Sequence, residues 1–380
     1  MLNKSKLVAM NERNIQLRIQ FYLTMIAHIV SALLYFLTLC ASSNAIKVRI
    51  VTWNVADNTR MNGGFLDAAI DNVLGLLDDD ELADMYAVGL QENCWKCNEG
   101  NLMQIGAKFL QRIDKKKKNE YEVLGVMGTR MSSTCELKCI VNFHGTTAIF
   151  VIARKLLSAS PQLFRHNDGC SVNFIANKEK GFAAMAVQLT GKKRLCFGAA
   201  HLDSSKPQAR RDCVSKFYTT ADKEVDWSKK CTSQFLFGDF NTRTGDKTDG
   251  AVAPKGKYVP KGTEFDDLRE KDELAGKTPY GTSSDWNKNL LTHVNEIQKF
   301  IAFQNHAKAP EFKECPFTFM PTYSIKNSAK NCAGEFPCYR VDRPMSWTDR
   351  IIYTNAKCQA YDAIYAEYGD HFPVYAEFIV

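Results

Sequence analysis

The stretch Gln234–Asn241 reads QFLFGDFN, an apolar run that ends on a carboxylate and an amide. Strands that are buried on both faces read as continuous apolar runs, and the sites of open α/β sheets gather where such strands end. Gly238 permits a tight exit from the strand, which releases Asp239 and Asn241 at the same place. The stretch therefore predicts a buried strand that delivers two polar side chains to a site.

Five other apolar runs carry polar side chains in the same manner. Asn54 ends KVRIVTWN, Glu92 ends MYAVGLQE, and His201 and Asp203 end LCFGAAHLD. Two runs near the C-terminus, SWTDRIIY and YGDHFPVYAEF, add four more polar residues: Asp349, Arg350, Asp370 and His371. Carboxylates, amides and histidines that arrive together at strand ends predict one divalent-metal phosphoesterase site.

The pattern along the chain favours an α/β fold. Apolar runs at residues 46–54 and 85–92 flank residues 64–80, in which apolar side chains recur at helical spacing. Pro207 opens a further helix that we expect to continue to about Val225. Strands cluster later in the chain, so we predict a two-sheet β-sandwich flanked by helices. The site residues span nearly the whole chain, which favours a single catalytic domain at residues 46–380.

Composition indicates an ample core and a modest positive charge. Hydrophobic residues make up 45% of the 380 residues, which is enough for a packed core. The formal net charge of +7 permits an anionic substrate but does not select nucleic acid over a lipid headgroup.

Residues 1–45 carry the features of an export signal. Basic side chains precede the uncharged run Phe21–Leu39, and the small residues Ser43 and Ala45 stand at the usual cleavage offsets. The uncharged run is also long enough to span a bilayer, so residues 1–45 are either a signal peptide or a signal anchor. The basic flank stays cytoplasmic in both cases. We therefore expect a secreted protein, or one anchored by residues 21–39 with a lumenal or extracellular catalytic domain.

Cysteine usage agrees with export. Cys40 lies in the signal region and twelve of the 13 cysteines follow it, an even number that favours disulfide bonds in an exported chain. Cys94 and Cys97 have the spacing of half a zinc site or a redox pair, but no second such pair and no nearby histidine accompanies them. The sequence alone does not define which cysteines are paired.

The candidate metal ligands are those that a hard cation prefers. Hydrolysis of a phosphate ester requires neutralisation of charge on the phosphoryl oxygens, an activated water, and assistance to the leaving oxygen. Mg²⁺ takes oxygen ligands and keeps several waters, so one or two carboxylates suffice to bind it. Glu92 fits this role, assisted by the amide oxygen of Asn54.

The remaining polar residues suit the hydrolytic step. Asp239 is placed to orient the attacking water and Asn241 to donate to a phosphoryl oxygen. His371 is either a general base or a hydrogen-bond donor to the phosphate. A carboxylate bonded to its other ring nitrogen would fix its tautomer, and Asp349 is the candidate for that carboxylate.

The order of WN, QE, HLD, GDFN, SWTDRI and GDHFPV resembles the endonuclease/exonuclease/phosphatase superfamily over about residues 48–380. Within it, SWTDRIIY after Arg343 and Pro344, together with FLFGDFNTR, resembles the two signatures of the inositol polyphosphate 5-phosphatase family. The segments Phe317–Ser324 (FTFMPTYS) and Asn177–Gly181 (NKEKG) resemble two segments of that family that contact substrate.

This resemblance implies a deoxyribonuclease I-like four-layer sandwich and a Mg²⁺-dependent phosphomonoesterase. The enzyme would remove the 5-phosphate from phosphoinositides or soluble inositol polyphosphates, as a monomer, with a possible contact to a membrane surface and without a nucleic acid partner. The implied metal ligands are Asn54, Glu92 and Asp370. The implied hydrolytic centre consists of His201, Asp203, Asp239, Asn241, Asp349 and His371. The implied substrate-binding residues are Lys178, Lys180, Arg243, Tyr323 and Arg350.

Two departures leave the preferred inositol phosphate open. Ser324 stands where the family has a lysine, and Glu179 and Lys180 are extra residues in the lysine loop, so either Lys178 or Lys180 is the contacting residue.

A different substrate class is the alternative. A secreted deoxyribonuclease I-like endonuclease of the same superfamily also carries GDFN, DRI and a DH-x-PV pattern. Pro344 and Trp347 before Asp349, and the sequence Pro321–Tyr323 (PTY), favour the phosphatase. A non-enzymatic binding protein would require a broken site, whereas every central catalytic position here carries the expected residue type.

Overall fold

The structure is a computed structural model of the 380-residue chain. It describes residues 23–26, 28–31, 45–55, 64–76, 82–93, 99–129, 146–166, 170, 180–190, 193–204, 206–244, 272–274, 311–325, 339–340, 343, 345–365 and 369–380.

The chain divides into two units, Met1–Ala45 and Ile46–Val380. In the first unit, residues 23–26 and 28–31 are helical and exposed. Within the described residues, no helix is both long and apolar enough to cross a membrane. Most of the predicted signal or anchor lies outside the described residues, so that prediction stays open.

Twelve strands and four helices are present in the described part of the second unit. In chain order the strands are β1 (Lys47–Asn54), β2 (Met85–Asn93), β3 (Tyr121–Gly128), β4 (Thr146–Arg154), β5 (Ser160–His166), β6 (Gly181–Gln188), β7 (Arg194–His201), β8 (Ser233–Asp239), β9 (Lys313–Glu314), β10 (Asp349–Thr354), β11 (Lys357–Ala363) and β12 (Val374–Ile379). The helices are α1 (Gly64–Leu74), α2 (Glu99–Asp114), α3 (Pro207–Val225) and α4 (Trp227–Lys230).

The strands form two mixed six-stranded sheets. The order in the first sheet is β11-β12-β1-β2-β4-β3, and in the second it is β5-β6-β7-β8-β10-β9. One apolar cluster contains side chains of both sheets, and two further clusters contain side chains of the helices and one sheet each. The predicted sandwich of two sheets with helices outside is therefore confirmed.

Parallel strand pairs set the position of the candidate site. β1 runs parallel to β2, and β7 runs parallel to β8. Their carboxyl ends carry Asn54 and Glu92 in the first sheet, and His201 and Asp239 in the second. Because His201 and Asp239 are register partners, these two residues leave their strands at the same level.

Two glycines hold backbone conformations that other residues would strain. Gly238 has a φ of +150°, and a Cβ atom there would clash with the carbonyl oxygen of Ala200 on β7. Gly75 has a φ of +68° and ends α1, where the amide of Leu76 donates to the carbonyl oxygen of Asp71 over 2.9 Å. A glycine in this conformation is a common helix stop, so α1 ends earlier than the predicted residue 80.

Three disulfide bonds lie among the described residues of the second unit. They join Cys170 to Cys213, Cys196 to Cys231, and Cys315 to Cys358. The predicted disulfide framework is thus present among the described cysteines, and such bonds are typical of proteins in oxidising compartments. Cys94 and Cys97 lie outside the part whose side chains are described.

Candidate active site

The ends of the two sheets meet at Asn54 and Asp239. The Asn54 side-chain Nδ2 donates to Asp239 Oδ2 over 3.0 Å, and both residues are buried. Asp239 Oδ1 accepts a second hydrogen bond from the backbone amide of Asn241 over 2.9 Å. The carboxylate is therefore held in place from both sheets.

His201 sits between carboxylates and a lysine. Its Nε2 lies 3.3 Å from Asp239 Oδ2 and 3.7 Å from Glu92 Oε1. The same nitrogen contacts Lys180 Nζ. The structure thus brings three sequence-predicted residues, Asp239, Glu92 and Lys180, together around the imidazole of a fourth, His201.

Asp349, at the start of β10 beside the end of β8, forms a buried pair with His371. His371 Nδ1 lies 2.8 Å from Asp349 Oδ2. The hydroxyls of Thr322 and Thr348 donate to the same carboxylate oxygen over 2.7 and 2.9 Å. Three partners fix the carboxylate, which in turn fixes the imidazole, because a ring nitrogen bonded to a carboxylate sets its orientation. The two threonines were not predicted as site residues.

Charges within the site set its protonation states. Burial alone would lower the pKa of His371, but the carboxylates of Asp349, Asp239 and Asp370 raise it to about 10. Burial alone would raise the pKa of Asp239, but the hydrogen bond with His201 and the positive charges of His371 and Lys180 hold it well below its usual value. At neutral pH the site therefore contains an imidazolium and an ionised aspartate.

The loops that follow β7 and β8 carry Asp203 and Asn241. Asp203 Oδ1 accepts a hydrogen bond from the backbone amide of Lys206 over 3.1 Å. Asn241 adopts a φ of +52°, and its Nδ2 donates to the carbonyl oxygen of Leu202 over 3.0 Å. This bond joins the two loops, so both predicted residues lie at the same edge of the site.

Tyr323 is surrounded by cationic and aromatic groups. Its ring centroid lies 4.6 Å from that of His371 and 4.5 Å from the Arg243 guanidinium carbon. Arg343 donates to the Tyr323 hydroxyl and is itself exposed. Arg243 also donates to Asn241 Oδ1. Arg343 lies shortly before the SWTDR motif in the sequence, but the sequence analysis did not predict it as a site residue.

The prediction that Arg350 contacts substrate is wrong. Arg350 is fully buried and pairs with Glu314 through two hydrogen bonds of 2.6 and 2.5 Å. It also donates to Asp272 over 2.6 Å. Because successive strand residues point to opposite faces of a sheet, Asp349 faces the site while Arg350 faces away from it. Arg350 is a structural cation.

The other predicted lysine, Lys178, lies outside the described residues. Lys180 is 9% exposed and is the loop lysine that the structure places at His201.

The carboxylates of the site fit a divalent cation. Burial raises the pKa of Asp370 and the negative charge of Glu92 raises it further, against the lowering effect of His371. A bound cation would offset the electrostatic repulsion between the carboxylates of Glu92 and Asp370. Within the described residues, no three His, Cys, Asp or Glu side chains form a ready-made metal cluster. Mg²⁺ needs no such cluster because it keeps several of its waters, so Asn54, Glu92 and Asp370 provide suitable oxygen donors.

A family model agrees with this geometry. The model described as endonuclease/exonuclease/phosphatase family 2 matches residues 51–377. The chain belongs to this family. Members of the family are hydrolases, and dependence on a divalent metal is typical of them. No curated protein sequence matches the chain at a significant level.

Several solved structures are similar to this chain. The inositol polyphosphate 5-phosphatase domain of SPsynaptojanin, in complex with inositol (1,4)-bisphosphate and a calcium ion, is 19% identical, with a TM-score of 0.51 over 88% of this chain and 84% of that chain. D. rerio TDP2 in complex with a single-strand DNA product is 15% identical, with a TM-score of 0.42 over 87% of this chain and 98% of that chain. The human nocturnin catalytic domain with a bound sulfate anion is 11% identical, with a TM-score of 0.42 over 88% and 93% of the two chains. At 19% identity the likeness to SPsynaptojanin shows the fold and not the substrate.

Proposed function

We propose that this hydrolase is a Mg²⁺-dependent phosphomonoesterase that removes the 5-phosphate from phosphoinositides or soluble inositol polyphosphates. The observation that carries the proposal is the arrangement around Tyr323. The guanidinium groups of Arg243 and Arg343 both contact Tyr323, whose ring centroid lies 4.6 Å from that of His371. Guanidinium groups bind phosphate through paired donors, so a second phosphate of the same substrate fits beside the one that is cleaved.

The hydrolytic residues supply fixed charge and hydrogen-bond donors around the scissile phosphate. Asp239 stays ionised and orients the attacking water. His371 is protonated at neutral pH. This favours a role as hydrogen-bond donor to the phosphate over a role as general base. Lys180 adds positive charge beside His201 at the scissile phosphate, where fixed donors stabilise a charged transition state.

Asn54, Glu92 and Asp370 would hold the metal. A bound Mg²⁺ supplies charge neutralisation and orientation of the phosphoryl oxygens.

We also propose that the protein acts after export. The three disulfide bonds support an oxidising compartment, and the uncharged run Phe21–Leu39 supports a signal or an anchor. A monomer that meets an inositol phosphate, in solution or at a membrane surface, accords with the site.

Phosphate release tests the proposal. The purified chain is incubated with phosphatidylinositol 4,5-bisphosphate in Mg²⁺, with and without a chelator, and in parallel with plasmid DNA. We expect free phosphate from the lipid, its loss with chelator, and intact DNA. The Asp239→Ala variant should release none. Degraded DNA without phosphate release would reject the phosphatase and establish the endonuclease alternative.

A further inference from the structure

The adjacent residues Asp272 and Glu273 bind two arginines behind the site. Both carboxylate oxygens of Glu273 accept hydrogen bonds from Arg210, one of them over 3.3 Å from Nε. Asp272 accepts a hydrogen bond from the buried Arg350 over 2.6 Å. The two residues are thus fixed to α3 and to β10 by charge-assisted hydrogen bonds, which are stronger than neutral ones.

Arg210 connects Glu273 to the loop that follows β7. Its Nη1 donates to the carbonyl oxygen of Asp203 over 3.0 Å, and Arg210 itself is 2% exposed. The guanidinium therefore spans from the Glu273 carboxylate to the backbone of a residue at the hydrolytic centre.

The backbone of Glu273 connects to the loop that follows β8. Its amide donates to the carbonyl oxygen of Arg243 over 3.1 Å, and Asp272 forms a β-bridge with Thr244. Arg243 in turn contacts Asn241 and the ring of Tyr323. Glu273 thus reaches both site loops, one through its side chain and one through its backbone.

We propose that Glu273 is a positioning residue that sets the spacing between Asp203 and Arg243. It acts through other residues, by joining the loop that carries Asp203 to the loop that carries Arg243. The inference rests on the proposed function for the identity of the substrate. A displacement of about 1 Å in a positioned group costs on the order of 10²-fold in rate. Loss of the connection through Glu273 should therefore lower the rate of the hydrolytic step.

A matched control separates positioning from stability. Glu377 pairs with the buried Arg49 over 2.7 Å, and the two glutamate side chains have similar exposure, 16% for Glu273 and 13% for Glu377. Arg49 lies five positions before Asn54 on β1, about 17 Å along the strand. Glu377 also pairs with Lys47 over 3.3 Å, so Glu377→Gln removes the ion pairs of a similarly exposed glutamate at the opposite end of the strand from the site.

The experiment compares Glu273→Gln with Glu377→Gln by kinetics and by urea unfolding. We expect both variants to lose similar stability. Only Glu273→Gln should lower kcat, by about 10- to 100-fold, and raise KM for inositol 1,4,5-trisphosphate more than for inositol 1,5-bisphosphate. The ratio of the KM values for the two substrates reports the position of Arg243 beside the additional phosphate. A merely structural change would leave this ratio unaltered. Equal kinetic losses in the two variants, or none in Glu273→Gln, would overturn the proposal.

Additional measurements apply if Glu273→Gln does not fold or if the wild type has a different substrate. If Glu273→Gln does not fold, Arg210→Lys keeps the charge but removes the paired donors, and it should reproduce the kcat loss. If the wild type cleaves plasmid DNA instead of inositol phosphates, the proposed function fails while the comparison of kcat proceeds on DNA. If the wild type cleaves neither, the affinity for inorganic phosphate measured by calorimetry decides, since only Glu273→Gln should weaken it.

Discussion

His371 Nδ1 lies 2.8 Å from Asp349 Oδ2, and this contact sets the charge of the imidazole. The carboxylate is buried, accepts hydrogen bonds from the hydroxyls of Thr322 and Thr348, and forms an ion pair with His371. The pair therefore holds a proton donor at the site throughout the neutral pH range.

Replacement of Asp349 by Asn should move the alkaline limb of the kcat/KM profile to lower pH. The carboxylates raise the pKa of His371 to about 10, above its ordinary value of 6.5, so the protonated form is lost only as pH rises through the higher value. Without the Asp349 charge, that loss begins nearer 6.5. At pH 8 we expect a deficit on the order of 10²-fold, as for other proton-transfer groups, and a smaller one at pH 6. An equal deficit at both pH values would contradict this role.

Lys180→Ala should lower kcat because Lys180 contacts His201. A hydrogen bond to a charged group contributes about 1.5–3 kcal/mol, which corresponds to roughly 10- to 150-fold. Lys178→Ala, two positions earlier in the sequence, is the matched comparison, and steady-state phosphate release measures both variants. A larger loss in Lys178→Ala than in Lys180→Ala would show that the other lysine is the one in the site.

Arg350→Ala should unfold the protein more readily and should not selectively weaken substrate binding. The change leaves Glu314 and Asp272 buried without their cation, and breaking such a pair costs about 3–5 kcal/mol. The urea midpoint measures the loss. A variant of normal stability with a raised KM would return Arg350 to the substrate-binding residues.

Arg343→Ala should raise KM for a substrate that carries a phosphate next to the cleaved one. Its guanidinium is exposed and contacts the Tyr323 hydroxyl, and loss of a charge-assisted bond corresponds to about tenfold or more. Lys357→Ala, an exposed cation at the start of β11, is the control for a change in net charge. Identical KM values for Arg343→Ala and Lys357→Ala would exclude a specific contact.

The sequence predicted the parts of the fold whose strands are buried on both faces. β1, β7 and β8 are almost wholly buried and read as continuous apolar runs. β5 and β11 are edge strands in which no two consecutive residues are buried, so no continuous apolar run predicts them.

Site residues at strand ends could be placed from the sequence, whereas residues defined by tertiary contacts could not. The end of β8 had to carry Asp239 to the site, but no pattern indicated that Arg343 would reach Tyr323. The resemblance to a signature assigned Arg350 to substrate, although its place beside Asp349 on one strand puts it on the other face. The disulfide pairs depend on which strands and helices meet, and cysteine spacing does not contain that information.

The identity of the product tests the central claim most directly. Inositol 1,4,5-trisphosphate is incubated with the purified chain in Mg²⁺, and the products are separated and identified. The account predicts inositol 1,4-bisphosphate and an equal amount of free phosphate. A product that retains the 5-phosphate, or an intact trisphosphate beside cleaved plasmid DNA, would contradict it.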